Sequence, residues 1–491
     1  MRNFHPYSEK KIPEDIFFNM REQNLLRWPT GKDVIFQKAV ERQKELPRHK
    51  RLDLVMRRAV EEGRCLVQPR GGFGTFEQHK NLMKIIDEEG LADIVPTTTD
   101  SYTRNEQFAS AQRGIDESEK MGRSLLNGYP IVNYGVGKAT ELIDAIEKPA
   151  IMLTGTAMPK LTGEVGFAAG YTGFLGSGVA YTTSYIKELS IEEGIKNYQY
   201  LDRLAALYQE NGIELHRRQP GFLTGTNIPP CIAIIVCIVD LLLAVEQGVK
   251  NYGLEMGETL HLIQDAAAVK ACKELCQEYL EIKGHKNIFT PITLLHWMGA
   301  WPHDEAQAAA LVSYGGTLAA ISGATSVTTK TLHEAFGIPT PQANAEGLRM
   351  TRMAIYLARN IRLDSMPEFQ FEVDLIKREV RPIMNKILEM GDGDVAIGVV
   401  RAFEAGILDI PWSPNKWVKS QVMPARDIDG CLRIFDAGKM PFSKEVIEYH
   451  HEKLALRSKK EKRPFDIDLA VSSVYELSEP LNKLLTDKWF S

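Results

Sequence analysis

Residues 65–74 read CLVQPRGGFG. A short apolar run, of the kind that forms a buried parallel strand, stops at Pro69. An arginine and three glycines follow at once. Arg70 is thus carried to the end of a buried element, where its guanidinium needs an anion.

The same texture repeats along the next three hundred residues. Strand-like runs lie at 65–69, 92–98, 129–135, 149–155, 178–183, 213–218, 251–256, 288–297 and 325–331. Amphipathic helix-length segments at 76–90, 138–147, 191–211, 261–284, 303–321 and 342–359 separate or follow them. Strands that alternate with helices are joined by crossovers and lie parallel. Eight or nine such units in roughly 270 residues match a (β/α)8 barrel better than a doubly wound sheet. GGFG and GFLGSG are loop glycines, because no G-x-G-x-x-G follows a strand with an acid about twenty residues on. The expected organisation is an N-terminal arm over 1–60, the barrel over 61–360 and a mostly helical extension over 361–491.

The chain has 491 residues, 44% of them apolar, and a net charge of -5. No global basic bias points to nucleic acid, and the basic runs 46–51 and 457–463 read as solvated faces. Six cysteines without a Cys-x-x-Cys suit a reducing compartment, and no apolar signal segment opens the chain. The most apolar stretch, CIAIIVCIVDLLLAVEQG at 231–248, contains Asp240 and reads as a buried barrel helix. A cytoplasmic protein without a membrane span is expected.

In a barrel, functional groups gather where strands end. Arg70 follows the first strand and Arg104, in DSYTR, the second. Asn127 and Asn133 flank the run at 129–135. Tyr181 and Tyr185 lie four apart near the fifth. Trp297 and Trp301 follow a later strand, and Lys330 and Glu334 the last. Two arginines at one mouth can hold a carboxylate, or each can pair with a loop acid. His303, Asp304 and Glu305 have metal-ligand atoms but also suit a helix start. No serine, cysteine or histidine reads as an activated nucleophile. Such a mouth holds groups better than it moves protons, which suits a binding protein or an enzyme whose cofactor does the chemistry.

The segments QPRGG, DSYTR, GRSLLNGYPIVNYG, LTGT, AVEQGVKN, HWMGAWPHDE, KTLHEAFGIPTPQAN and GDVAIGVVRAFEAGILDIPWSP occur in the order that marks a known family. They resemble the large (epsilon) subunit of glutamate mutase, or methylaspartate mutase, and the resemblance runs over about residues 20–485. It implies a (β/α)8 barrel that pairs into a homodimer. It also implies a separate small subunit that carries adenosylcobalamin on a D-x-H-x-x-G motif, in a heterotetramer. None of the eleven histidines here lies in such a motif. The implied reaction is a radical rearrangement of glutamate to 3-methylaspartate.

By the same resemblance, Arg70 and Arg104 bind substrate carboxylates and Tyr181 and Tyr185 lie beside the substrate. Gly72, Asn127, Ser184, Trp301, Lys330, Glu334 and Ile338 match cofactor-side positions. Trp301 takes a position given to phenylalanine in the family, and Ser184 one given to proline. Two departures are larger. The family's third substrate arginine opens an R-H-G-T segment that here begins Leu153, Thr154. Its ammonium-binding glutamate, in N-E-G-G-G, is Leu175. An ammonium beside a leucine in a closed site loses its hydrogen-bond partners. A less polar carboxylic acid is therefore expected as the substrate. A non-catalytic binding or regulatory barrel, and a metal-assisted lyase using His303, Asp304 or Glu305, are the other readings.

Overall fold

The computed structural model describes residues 8–222 and 224–475. The first seven residues of the arm, Leu223 of the LTGT segment after β5, and residues 476–491 of the extension lie outside the described residues. Eight strands form one parallel sheet: β1 Leu66–Gln68, β2 Val95–Thr98, β3 Ala150–Leu153, β4 Gly173–Leu175, β5 His216–Arg218, β6 Tyr252–Gly257, β7 Ile292–Leu295 and β8 Ser326–Thr328. Their order is β1-β8-β7-β6-β5-β4-β3-β2. No ladder joins β1 to β2. The gap is bridged by Asp93 N–H to Val67 O (3.0 Å) and Thr98 N–H to Gly71 O (2.9 Å). The Asp93 carboxylate also accepts from Val67 N (2.9 Å). The fold is a TIM-type barrel with a helical extension.

Two strand expectations are corrected. Residues 129–135 are not a strand but the start of the helix Ile131–Asp144, which is kinked at Gly135. Residues 178–183 belong to the helix Gly178–Tyr185, whose N-terminus is capped by Ser177 Oγ accepting from Ala180 N at 3.1 Å. Both runs are rich in β-branched and aromatic residues, and local preference gave way to tertiary context. The strand between β3 and β5 is instead Gly173-Phe174-Leu175, three residues that begin with one glycine and are followed by another, Gly176.

Inside the barrel the polar residues pair with one another. His216 Nδ1 and Asn251 Oδ1 are 2.8 Å apart, and Thr293 and Ser326 share a 2.7 Å bond. Nearer the C-terminal ends, Gln68 Nε2 donates to Thr328 Oγ1 (3.1 Å) and its Oε1 accepts from Arg218 Nη1 (3.1 Å).

The helix Pro230–Gln247 is long and apolar enough to cross a membrane, yet 94% of that window is buried inside the fold. Helices Pro367–Met390 and Val395–Ala405 of the extension cover it. Shielding on all sides explains an apolar surface without a polar face. The extension continues through a hairpin, β9 Met423–Arg426 and β10 Leu432–Asp436, tied down by the buried Arg433 guanidinium on Asp427 and Glu372.

The N-terminal arm is anchored by a buried ion pair. Arg21 Nε and Nη2 donate to Glu164 at 2.9 Å each, and Tyr200 OH donates to Glu164 Oε1 at 2.6 Å. Removing one member of such a pair strands the other. Arg21→Met is expected to lower unfolding free energy by about 3–5 kcal/mol in urea titrations. Arg21→Met/Glu164→Gln should recover most of that loss, because the double change removes both charges and keeps an acceptor for Tyr200. Additive losses would show that the pair carries no mutual stabilisation.

Candidate functional site

The inward positions at the ends of β3, β4 and β5 are lateral neighbours. Leu153 pairs in register with Leu175, and Leu175 with Arg218. All three line a small cavity of about 30 Å³. Arg70, Tyr181, Tyr185 and Glu255 complete its polar lining, while Leu295 and Met298 add apolar wall.

Arg70 is half-buried, and its recorded hydrogen bond runs from Nη1 to Met298 Sδ at 3.3 Å. Arg104 donates Nε to Thr99 O (2.8 Å), and its guanidinium lies against Gly155 on the β3 side of the cavity. A side chain at Gly155 would begin 3.2 Å from Arg104 Cζ, and its φ of +61° also favours glycine. Among the described residues no ion pair is recorded for Arg70 or Arg104. Desolvation lowers the Arg104 pKa, and the charge of Arg70 lowers it further. The Asp100 carboxylate acts on Arg104 in the opposite direction.

Tyr181 and Tyr185 meet edge to face, with ring centroids 5.4 Å apart. Tyr181 is buried and Tyr185 lies at the mouth, 43% exposed. Desolvation pushes both hydroxyls above the usual tyrosine range, so both remain neutral donors at pH 7. Their short helix is gripped at each end. Asp240 Oδ1 accepts from Val179 N (3.2 Å) at the start. At the finish Asn415 Nδ2, from the extension, donates to Thr182 O (3.1 Å), Ile186 O (2.7 Å) and Leu189 O (2.9 Å). The extension therefore helps to build the mouth.

A second cluster lies beyond β8. Lys330 Nζ donates to Glu334 Oε2 at 2.5 Å, 6.0 Å from the Trp301 ring centre. Trp301 is fixed by Nε1 donating to Trp297 O (3.1 Å). Burial lowers the Lys330 pKa; Glu334 opposes this, and the charge of Arg70 adds to the lowering. The two clusters are therefore electrostatic neighbours through Arg70.

The remaining positions divide. Gly72 sits where a side chain would begin 2.4 Å from Thr98 O, so the backbone passes tightly between β2 and Gly128. Asn127 is exposed, and its Oδ1 accepts from Ser101 N (3.0 Å). Asn133 donates to Phe108 O (2.9 Å), a bond that braces the fold. Ser184 is half-buried and Ile338 is 42% exposed. Thr154 is absent from the cavity lining; its hydroxyl donates to Leu175 O (3.0 Å). Asp304 caps the helix Glu305–Ile321 by accepting from Gln307 N (2.9 Å). Among the described residues, the three-ligand grouping is Cys237, Cys272 and Cys276, all buried, and not His303, Asp304 and Glu305.

Arg218 and Glu255 were not singled out in the sequence, although both lie in strand-like runs. The signal was available in LHRRQP. Two arginines in a strand face opposite ways. Arg217 turns outward to Asp202 Oδ1 (2.7 Å) and Gly176 O (3.0 Å), while Arg218 turns into the barrel.

The fold is a TIM-type barrel with a cavity at the C-terminal ends of its strands, lined by Arg70, Arg218 and Glu255, and with a Lys330–Glu334 pair beyond β8. The chain belongs to the family described as methylaspartate mutase E chain (MutE), whose model matches residues 46–484. It is 42% identical over 472 residues to the glutamate mutase epsilon subunit of Treponema denticola, covering 96% of this chain and 97% of that one. The corresponding subunit of Desulfitobacterium hafniense is 40% identical, over 95% and 96% of the two chains. Among solved structures, the carboxyl transferase domain of Rhizobium etli pyruvate carboxylase covers 86% of this chain and 77% of its own, at 11% identity and a TM-score of 0.30.

The support under the tyrosine helix yields a pH prediction. Burial raises the Asp240 pKa from 3.8 to about 7. The folded state then keeps a proton that the unfolded state releases, so stability is lost as pH rises from about 4 through 7. Asp240→Asn removes that dependence. The variant's unfolding free energy minus the wild type's should grow across this window and level off above it. A difference independent of pH would show that Asp240 does not titrate there.

Proposed function

We propose that this chain is the large subunit of an adenosylcobalamin-dependent carbon-skeleton mutase. In this reading Arg70 and Arg104 hold a carboxylate of a small acid in the barrel mouth. The observation that carries it is that Arg70 lines the cavity with Tyr181 and Tyr185 while Arg104 lies against Gly155 in its wall, neither arginine ion-paired among the described residues. Neutral tyrosine hydroxyls add donors that orient the acid without consuming a proton. The apolar flank of Leu153 and Leu175 favours a substrate less polar than glutamate on that side.

The second cluster fits the adenosyl group. Lys330 has two further ammonium hydrogens, and Glu334 has free lone pairs, enough to meet vicinal hydroxyls. Trp301 offers an aromatic face beside them. When bound, adenosylcobalamin supplies radical chemistry, the removal and return of a substrate hydrogen atom around a skeletal rearrangement. Gly72, Asn127, Ser184 and Ile338 line the approach in this reading. The corrin belongs to a small partner subunit with a D-x-H-x-x-G motif, and two copies of each chain form the working assembly. The barrel's own task is to orient the acid and keep water from the reacting carbons.

The isolated chain should retain little adenosylcobalamin on gel filtration, and the chain mixed with a small cobalamin-binding subunit should retain it. Lys330→Ala and Glu334→Ala should each weaken that retention by roughly 10- to 100-fold, as expected for loss of a charge-assisted hydrogen bond, with unchanged circular dichroism. Tight stoichiometric binding by the chain alone would overturn the two-subunit reading.

Substrate choice is tested on the same complex. L-Glutamate should be converted slowly, as followed by proton NMR, compared with an acid lacking the amino group. Leu153→Arg/Leu175→Glu should gain glutamate conversion beyond the combined effect of the two single changes, because the new charges support each other. Efficient wild-type conversion of glutamate would restore glutamate as the substrate.

A further inference from the structure

The floor of the cavity carries a charge pair that the resemblance did not single out. Arg218 is fully buried. Its Nη1 donates to Gln68 Oε1 (3.1 Å), while Nε and Nη2 have no hydrogen-bond partner. Glu255 Oε2 lies 3.2 Å from Arg218 Nε but outside hydrogen-bond alignment, and it too is without a hydrogen-bond partner. Glu255 is held in place by accepting from Gly221 N at 2.8 Å through Oε1. A buried guanidinium that lines a cavity and has two unused donors is costly unless a partner meets it. In the lateral row, Leu153 and Leu175 are followed directly by Arg218. Arg218 thus presents a cation beside the two leucines, one strand further round.

We infer that Arg218 receives a second carboxylate of the substrate, and that the substrate class is a small dicarboxylate lacking an α-ammonium group. The inference rests on the reading that Arg70 and Arg104 hold the first carboxylate. The leucine flank supports the missing ammonium: Leu153 and Leu175 lie beside Arg218 in the row and offer it no hydrogen-bond acceptor. Glu255 acts as a positioning residue that keeps the guanidinium turned towards the cavity.

Calorimetric titration of the full chain tests this with glutarate as the dicarboxylate and valerate as the monocarboxylate of equal length. Glutarate should bind at least about 10-fold more tightly than valerate. Arg218→Gln/Glu255→Gln, which removes both buried charges together, should bring glutarate down to the valerate level and leave valerate unchanged. Arg70→Gln should weaken both acids. If the double variant does not fold, Arg218→Lys is read instead; it keeps the charge but not the fork, and should reduce the glutarate preference several-fold. Equal wild-type affinities, or a preference unchanged by altering Arg218, overturn the inference while the Arg70 effect stands. If Arg70→Gln leaves both acids unchanged, or neither acid binds the wild type, the underlying reading falls with it.

Discussion

A guanidinium held without water inside the barrel sets the terms for everything at its mouth. Arg218 reaches from β5 to Gln68 on β1 and Glu255 on β6. Removing an arginine from water is costly, and this one recovers only part of that cost from protein partners. Gln68 is in turn fixed by Thr328 on β8, so one polar chain links strands on several sides of the barrel. Lower in the barrel the polar side chains pair with each other. Near the C-terminal ends that pairing is incomplete, since Arg218 Nε and Nη2 and Glu255 Oε2 have no hydrogen-bond partner, and a cavity lies there.

Three other buried arginines make a contrast. Arg21, Arg217 and Arg433 each meet a carboxylate at hydrogen-bond distance, and each joins two segments of the chain. These are structural ion pairs, in which removal of one partner is costly because the other remains buried. Arg70 and Arg104 lack such partners among the described residues and lie at one mouth. Pairing state thus separates Arg21, Arg217 and Arg433 from Arg70 and Arg104.

The barrel was legible where strands are buried on both faces, because runs such as ADIVPTT and PAIMLTG carry that composition without alternation. It was illegible where other constraints dominate. The run at 178–183 has strand-forming residues, yet Ser177, Asp240 and Asn415 satisfy its helix ends and hold it over the barrel. Two of those residues lie more than fifty positions away in sequence, beyond any local pattern. β4 was missed because three residues that begin with a glycine carry too little composition to register. At the site, Arg70 and the tyrosines could be read from motifs, whereas Arg218 required the register of three strands. Thr154, read in the sequence as an altered position next to Leu153, donates its hydroxyl to Leu175 O of β4.

Register also explains how such a pocket can change what it accepts without changing shape. Positions 153, 175 and 218 occupy one row across β3, β4 and β5, each presenting an inward side chain to the same small volume. The backbone bonds of the row do not depend on which of the three is charged. A leucine at two positions and an arginine at the third is compatible with the same ladder as another arrangement of those groups. What the row determines is where around the barrel wall a ligand's charged end is met. The supports of the tyrosine helix fix the opposite boundary, because Asp240 and Asn415 bind its backbone rather than its side chains. Charge can therefore move around a rigid rim without disturbing the backbone that carries it.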